Sequence, residues 1–348
     1  ENAESDFYGD SSFSKMTSEE AKHTSDGGKY NTTLWMPEVV HYFKENLQNN
    51  HFVNPDQTVY IGLDSGWDCM NEEQLKSFIE KCKSNGQIGG IYWTPFTDWA
   101  RDPERTVDAA PEYKYKDIYL YANGKPQELD GAYAVDPTHP AVEAMMKKTS
   151  GLFHRAGFEY VKMDFMTHGA MEADKWYNPE ITTGIQGYNY GMKLLNQYFG
   201  DMYINLSISP VFPAQYAQSR RIACDAWNQI KDTEYTLNAL SYGWWQKYIY
   251  QYNDADHIVL RDATDGENRA RITSGVITGI YITGDDFSAG GGKDAKEKSQ
   301  KYLTNAAVNA VATGEVFRPV EGNGEKSEHI FVRKTPDGRF HCAVFNYS

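Results

Sequence analysis

The sequence carries no CxxC pair, no HExxH motif, no Gly-rich phosphate loop near its start and no apolar run long enough to span a membrane. Each absence removes a class of function. The four cysteines, Cys69, Cys82, Cys224 and Cys342, show no zinc spacing. Cys69 and Cys82 flank one predicted helix and could pair, though unpaired core thiols are the simpler reading. Nine histidines show no HExxH arrangement, so neither a catalytic metal nor a cofactor is expected. The missing phosphate loop weighs against an open, doubly wound nucleotide-binding sheet. Positive charge is scarce: 34 Lys and Arg stand against 48 Asp and Glu, a net charge of −14. Such a surface disfavours nucleic acid and anionic membranes as partners, and plain solubility accounts for the same charge. The first residues do not read as a signal peptide. The abrupt beginning at Glu1 is compatible with a removed leader or upstream domain, and a secreted, cell-surface or periplasmic location is expected. Asn31-Thr32-Thr33, Asn205-Leu206-Ser207 and Asn346-Tyr347-Ser348 match the N-glycosylation pattern, which a chain of this length reaches by chance.

Aromatic residues are plentiful, with 25 Tyr, 16 Phe and 8 Trp in 348 residues. Core packing explains most of them, but aromatic faces also suit the flat C–H faces of sugar rings. The length fits about two domains, or one α/β barrel of about 250 residues with a smaller appendage.

Short apolar runs alternate with helical patterns. The runs are Val59 to Asp64, Ile88 to Trp93, Tyr160 to Phe165, Tyr203 to Ile208, Arg221 to Trp227, His257 to Leu260 and Gly279 to Thr283, with a weaker one at Phe7 to Phe13. Helical segments are expected over Met36 to Leu47, Asn71 to Lys83, Pro140 to Ala156, Gly184 to Phe199, Thr233 to Tyr250 and Glu267 to Ile277. Asn71 before Glu72 and Glu73 reads as a helix cap, and Pro140 as a first helical residue. Strands alternating with helices imply parallel βαβ units. Eight repeats imply a closed (β/α)8 barrel, whose active site lies at the C-terminal strand ends. The barrel is expected to fill residues 1–315. Beyond it, two strands around the turn Thr335-Pro336-Asp337-Gly338 open a C-terminal antiparallel β-sandwich domain over 316–348. A lone hairpin is marginal in water, so this piece reads as the start of a larger one. The polar segment from Asp98 to Asp136 reads as a long loop with weak helical periodicity, long enough to wall a pocket.

Acidic residues close several of these runs. Lys162 and Asp164 are two apart on one strand and so share a face. A buried Lys beside it would hold Asp164 ionised at neutral pH, and an ionised, desolvated carboxylate can attack an anomeric carbon. The same pair also reads as a structural ion pair at a strand end. Arg221 and Asp225 share a face by the same parity, and Asp225 is placed to donate a proton to a leaving oxygen and later activate water. A structural ion pair again explains the spacing. Asp64 closes the second run with Trp67 just beyond, a combination that suits a sugar subsite. Asn253-Asp254-Ala255-Asp256 precedes the seventh run and equally reads as a turn.

These residues resemble glycoside hydrolase family 27, the α-galactosidase and α-N-acetylgalactosaminidase family. Tyr160-Val161-Lys162-Met163-Asp164 resembles the family's nucleophile strand, and Arg221-x-x-x-Asp225 its acid/base segment. Gly90-Ile91-Tyr92 resembles the third strand, whose Tyr lines the site. Tyr252-Asn253-Asp254-Ala255-Asp256 resembles Trp-Asn-Asp-Pro-Asp, whose last Asp reaches the sugar. Arg269 to Asp285 and Tyr302 to Pro319 resemble the last helix–strand–helix stretch, and Glu328 to Ser348 the opening of the C-terminal β-domain. The likeness runs from about residue 36 onward. It implies a retaining exo-α-glycosidase on α-galactoside-type ends of oligosaccharides or glycoconjugates. Asp164 would be nucleophile and Asp225 acid/base, with Asp64, Trp67, Tyr92, Trp93, Lys162, Ser209, Arg221 and Asp256 shaping the sugar site.

The chain departs from the family at three places. The usual Asp-Asp-Gly-Trp is Asp64-Ser65-Gly66-Trp67, which weakens one sugar-hydroxyl contact. The usual Cys-Glu-Trp segment is Ser207-Ile208-Ser209-Pro210, and Ser209 is similar to the smaller residue that leaves room for an acetamido group. The first strand's Gly-Trp-Asn-Ser-Trp is barely matched by Tyr8-Gly9-Asp10-Ser11-Ser12-Phe13. Specificity for α-N-acetylgalactosaminides or β-L-arabinopyranosides is therefore a second reading. An aldolase-like Schiff base at Lys162 and an inactive carbohydrate-binding barrel are readings from other classes.

Overall fold

In the computed structural model, described over residues 39–287, 292–320 and 329–346, strand and helix alternate along the chain. The parallel strands are β1 (Tyr60–Gly62), β2 (Ile88–Trp93), β3 (Tyr160–Met163), β4 (Tyr203–Leu206), β5 (Ser219–Arg221), β6 (Tyr252–Ile258) and β7 (Ile280–Thr283). The helices are α1 (Glu72–Ser84), α2 (Pro140–Ala156), α3 (Gly184–Phe199), α4 (Ile230–Gly243), α5 (Asp265–Thr278), α6 (Gly292–Tyr302) and α7 (Ala306–Val311). The fold is α/β, of the (β/α)8 barrel type, followed by a separate antiparallel sheet of β8 (Arg318–Pro319), β9 (Ile330–Lys334) and β10 (Phe340–Val344). The strand expected at Phe7 to Phe13 lies outside the described residues. The chain divides into two compact units, Glu1–Ile91 with Ser219–Ser348, and Tyr92–Gln218.

In the first unit, β1 and β2 pair in parallel from Tyr60↔Ile88 to Gly62↔Gly90. The α1 helix between them starts on a capping box, with Asn71 and Gln74 each accepting the other's backbone N–H. Its first turn carries Glu72 and Glu73 and its last Lys81 and Lys83, as the helix dipole favours. It buries Leu75, Phe78, Ile79 and Cys82. A Cβ on Gly89 of β2 would lie 2.1 Å from Ile79 Cδ1, so the glycine lets helix and strand approach. Burial pushes the Cys82 thiol up to about 12, and no disulfide joins it to Cys69. Strands β5, β6 and β7 are also parallel, with a register shift between Asp254 and His257 where β6 faces β7.

Three expectations in this unit need correction. The run Arg221 to Trp227 is a strand only to Arg221, and Asp225 lies in the loop beyond it. Asn253 to Asp256 is not a turn; it lies inside β6, where the charged residues are buried and paired. The helix expected over Thr233 to Tyr250 begins earlier, at Ile230, and ends at Gly243, with a 3-10 turn over Trp244–Tyr248. The β8–β10 sheet avoids the marginality of a lone hairpin. Its Phe331, Ala343 and Phe345 join Leu237, Leu240, Ile277, Val316 and Phe317 in one apolar cluster.

In the second unit, β3 and β4 pair from Tyr160↔Tyr203 to Met163↔Leu206. The ladder continues past their ends: Asp164 N–H donates to Trp93 O at 2.9 Å and Ser207 N–H to Met163 O at 2.9 Å. Val161, Met163, Ile204 and Leu206 are fully buried, the apolar half of a period-two pattern. Pro140 opens α2 and left-handed Gly157 closes it. A Thr183–Gln186 capping box opens α3. The Asp98 to Asp136 segment is more ordered than a loop. Thr97–Asp98, Glu128–Leu129 and Ala132–Ala134 form a small antiparallel sheet, and Tyr115–Ile118 a helical turn. Asp98 anchors it, accepting from Arg105 and from the Tyr119 hydroxyl, each at 2.5 Å. Among the described residues no helix is long and apolar enough to cross a membrane.

Candidate functional site

The second unit places Asp164 just beyond the end of β3, 7% exposed. Its Oδ1 accepts the Phe165 N–H at 2.8 Å, which fixes the carboxylate. Phe165 has φ 53, a left-handed backbone that a non-glycine residue adopts only when its surroundings impose it. The chain then tightens into a 3-10 turn over Met166–Ala170, tied to the loop after β4 where Thr167 N–H donates to Ile208 O at 2.8 Å. Ile208 is also left-handed, at φ 43, and Ser209 beyond it is buried.

Lys162 precedes Asp164 by two residues, buried, with Nζ 5.3 Å from the centre of the Tyr92 ring. Opposite Lys162 in the register stands Asn205, whose Nδ2 donates to Tyr160 Oη at 2.9 Å. Alternation in Tyr203-Ile204-Asn205-Leu206-Ser207 carried the signal for Asn205, which sequence reasoning passed over. The Trp93 ring stacks on buried Phe199 of α3, centroids 5.6 Å apart.

The first unit holds Asp64, Trp67, Arg221, Asp225 and Asp256. Asp64 is buried at the end of β1 and its Oδ1 accepts the Ser65 N–H at 2.6 Å. Gly66, at φ 87, supplies the left-handed residue that lets Trp67 start a 3-10 turn. Arg221, Asp225 and Asp256 are brought together directly. Arg221 Nη1 donates to Asp225 Oδ1, and its Nη2 to Asp256 Oδ1 at 2.5 Å. Asp256 Oδ2 accepts the Ala226 N–H at 2.7 Å, pinning the loop that carries Asp225. Buried Asp232 holds the next residue, accepting the Trp227 N–H at 3.0 Å. Asp225 itself is open, with 59% of its side chain exposed.

Behind this cluster sits Arg271 of α5, buried, its Nη2 bonded to the carbonyls of Ala255, Asp256 and His257. Burial pulls its guanidinium down to about 10, while the carboxylates of Asp256, Asp254 and Asp232 pull the other way. Arg271 was missed, although a signal existed: it falls on the buried stripe of α5 with Asn268, Ile272, Gly275 and Val276. Among the described residues no cluster of His, Cys, Asp and Glu has the makings of a metal site.

No protein-family model matches the chain, and no curated protein does. Solved structures do match. A GH27 β-L-arabinopyranosidase from Geobacillus stearothermophilus superposes with TM-score 0.62 at 16% identity, covering 89% of this chain and 79% of that one. A protein described as a candidate α-N-acetylgalactosaminidase from Bacillus halodurans C-125 gives TM-score 0.59 at 16% identity, with 89% and 79% covered. The α-galactosidase from Thermus thermophilus, in complex with stachyose, gives TM-score 0.56 at 18% identity over 70% of this chain. The match takes in 57% of the Thermus enzyme's length, so the chain spans little more than half of it. The chain has the barrel fold of the family 27 glycoside hydrolases.

Proposed function

We propose that the chain is a glycoside hydrolase, a retaining exo-α-glycosidase that removes α-galactoside-type ends from oligosaccharides or glycoconjugates. Asp164 is the nucleophile and Asp225 the acid/base. Asp164 attacks the anomeric carbon while Asp225 gives its proton to the leaving oxygen. Asp225 then takes a proton from water, whose oxygen attacks the anomeric carbon, displaces the Asp164 carboxylate and releases the sugar with its α-configuration kept. The observation that carries the assignment is the contrast in exposure, 7% for Asp164 and 59% for the Asp225 side chain. A nucleophile gains from exclusion of water, whereas an acid/base must reach the leaving oxygen and then admit the water that it deprotonates. Asp64, Trp67, Tyr92, Lys162, Ser209, Arg221 and Asp256 are assigned to the sugar site. Trp93, stacked on Phe199 of α3, is assigned to the same site.

The test is Asp164→Ala with aryl α-galactosides and α-N-acetylgalactosaminides that the parent cleaves. Turnover is expected to vanish, and wild-type turnover would end the assignment. Ser65 and Ser209 favour a second reading on the same machinery. Loss of an acid at Ser65 suits a β-L-arabinopyranoside, and the small Ser209 suits an acetamido sugar. A panel of aryl glycosides separates these, and strong preference for the plain α-galactoside removes the motive for both.

A further inference from the structure

Asp256 occupies an improbable place. It lies inside a strand, yet its φ is 67, and the pairing of β6 with β7 slips between Asp254 and His257. Asp adopts a left-handed backbone more readily than most residues, but within a strand it breaks the regular ladder and needs neighbours to hold it. Two groups do so here. Asp254 Oδ1 accepts the Asp256 N–H at 2.7 Å. Arg271 Nη2 reaches the carbonyls of Ala255 at 3.0 Å, Asp256 at 3.1 Å and His257 at 2.5 Å. Successive carbonyls of a regular strand point in alternate directions, so three in a row converge on one nitrogen only in a bulge. Arg271 is itself held, with Nη1 3.2 Å from Ser274 Oγ and 3.5 Å from Thr236 Oγ1.

The bulge aims the Asp256 carboxylate. One oxygen meets Arg221 and the other the Ala226 N–H, so a single side chain grips both the partner of Asp225 and the backbone beside it. A buried chain of contacts thus runs from Arg271 through the bulge, Asp256 and Arg221 to the exposed carboxylate of Asp225. We propose that Arg271 is a positioning residue for Asp225: it locks the bulge that sets the direction of the acid/base. This rests on the reading of Asp225 as acid/base.

Acid catalysis leaves a signature that general loosening lacks. A poor leaving group needs the proton, and an activated one does not. The experiment compares kcat/KM for phenyl and dinitrophenyl α-galactosides in Arg271→Met, Ser274→Ala and Asp225→Ala. Asp225→Ala sets the scale, with a loss of about 10²–10⁴-fold on the phenyl substrate and far less on the dinitrophenyl one. Arg271→Met is expected to show the same split, with azide raising kcat on the dinitrophenyl substrate. Ser274→Ala, which loosens Arg271 without emptying a charged site, is expected to show a smaller split of the same sign if Arg271→Met does not fold. If Asp225→Ala splits the substrates and the Arg271 and Ser274 variants lower both equally or neither, Arg271 has no positioning role. If Asp225→Ala itself shows no split, the acid/base assignment fails, and the inference with it.

Discussion

Arg221 Nη2 lies 2.5 Å from Asp256 Oδ1, and the two side chains are 4% and 1% exposed. The other end of the same guanidinium meets Asp225, whose side chain is 59% exposed. Removing one partner of a buried pair leaves the other charge uncompensated, at about 3–5 kcal/mol. Truncating an exposed partner costs about 0–1 kcal/mol. Asp256→Ala is therefore expected to lower the urea midpoint strongly, and Asp225→Ala to leave it almost in place while activity collapses. Equal stability losses in the two variants would contradict this contrast between the buried and the exposed carboxylate.

Gly184 opens α3 at a point of close approach. A Cβ there would lie 2.2 Å from the carbonyl oxygen of Ala170, a backbone atom that cannot rotate away. Ala170 ends the 3-10 turn that follows Asp164 and Phe165. Gly184→Ala must therefore shift either the helix start or that turn, and such overpacking costs about 1–3 kcal/mol. Its stability in urea should fall by that amount, with a loss of turnover beyond what the lower stability explains at working temperature. Wild-type values for both would mean that the turn yields freely.

The legible parts of the molecule were those with a local cause. The α1 cap at Asn71, the Pro140 start of α2 and the extent of β2 all follow from neighbours within a few residues. Strand parity singles out Lys162 and Asp164, and both are buried. The parity argument for Asp225 does not hold: the strand stops at Arg221, and the Arg221–Asp225 contact is made by a loop turning back. That loop is held by Asp256, distant in sequence, and by Asp232 in the first turn of the helix that follows, and neither contact leaves a periodic trace. The bulge at Asp256 was hidden for the same reason, because a run of Asn and Asp reads as a turn until a buried Arg and a neighbouring strand claim its polar groups. The Asp98 to Asp136 segment read as a loop because its order comes from short antiparallel pairs and from Asp98 contacts with Arg105 and Tyr119.

Asp285, just past β7, predicts a pH dependence of stability. Burial raises its carboxyl from 3.8 to about 6, against the lowering effect of the Leu260 and Arg261 N–H groups and the Arg261 guanidinium. Above about pH 6 the group is ionised in both folded and unfolded chains, and the folded state carries the whole desolvation penalty. Between about pH 6 and pH 4 the folded state holds a proton that the unfolded state lacks, so stability rises as pH falls through this window. A rise of that size corresponds to about 3 kcal/mol at most. Asn in this position stays neutral throughout and keeps an oxygen for the Leu260 N–H, which now lies 2.7 Å from Asp285 Oδ2. Asp285→Asn should accordingly be more favourable at neutral pH than near pH 4, by about 2–3 kcal/mol in urea unfolding. A difference between variant and parent that does not change with pH would show that Asp285 does not titrate in this window.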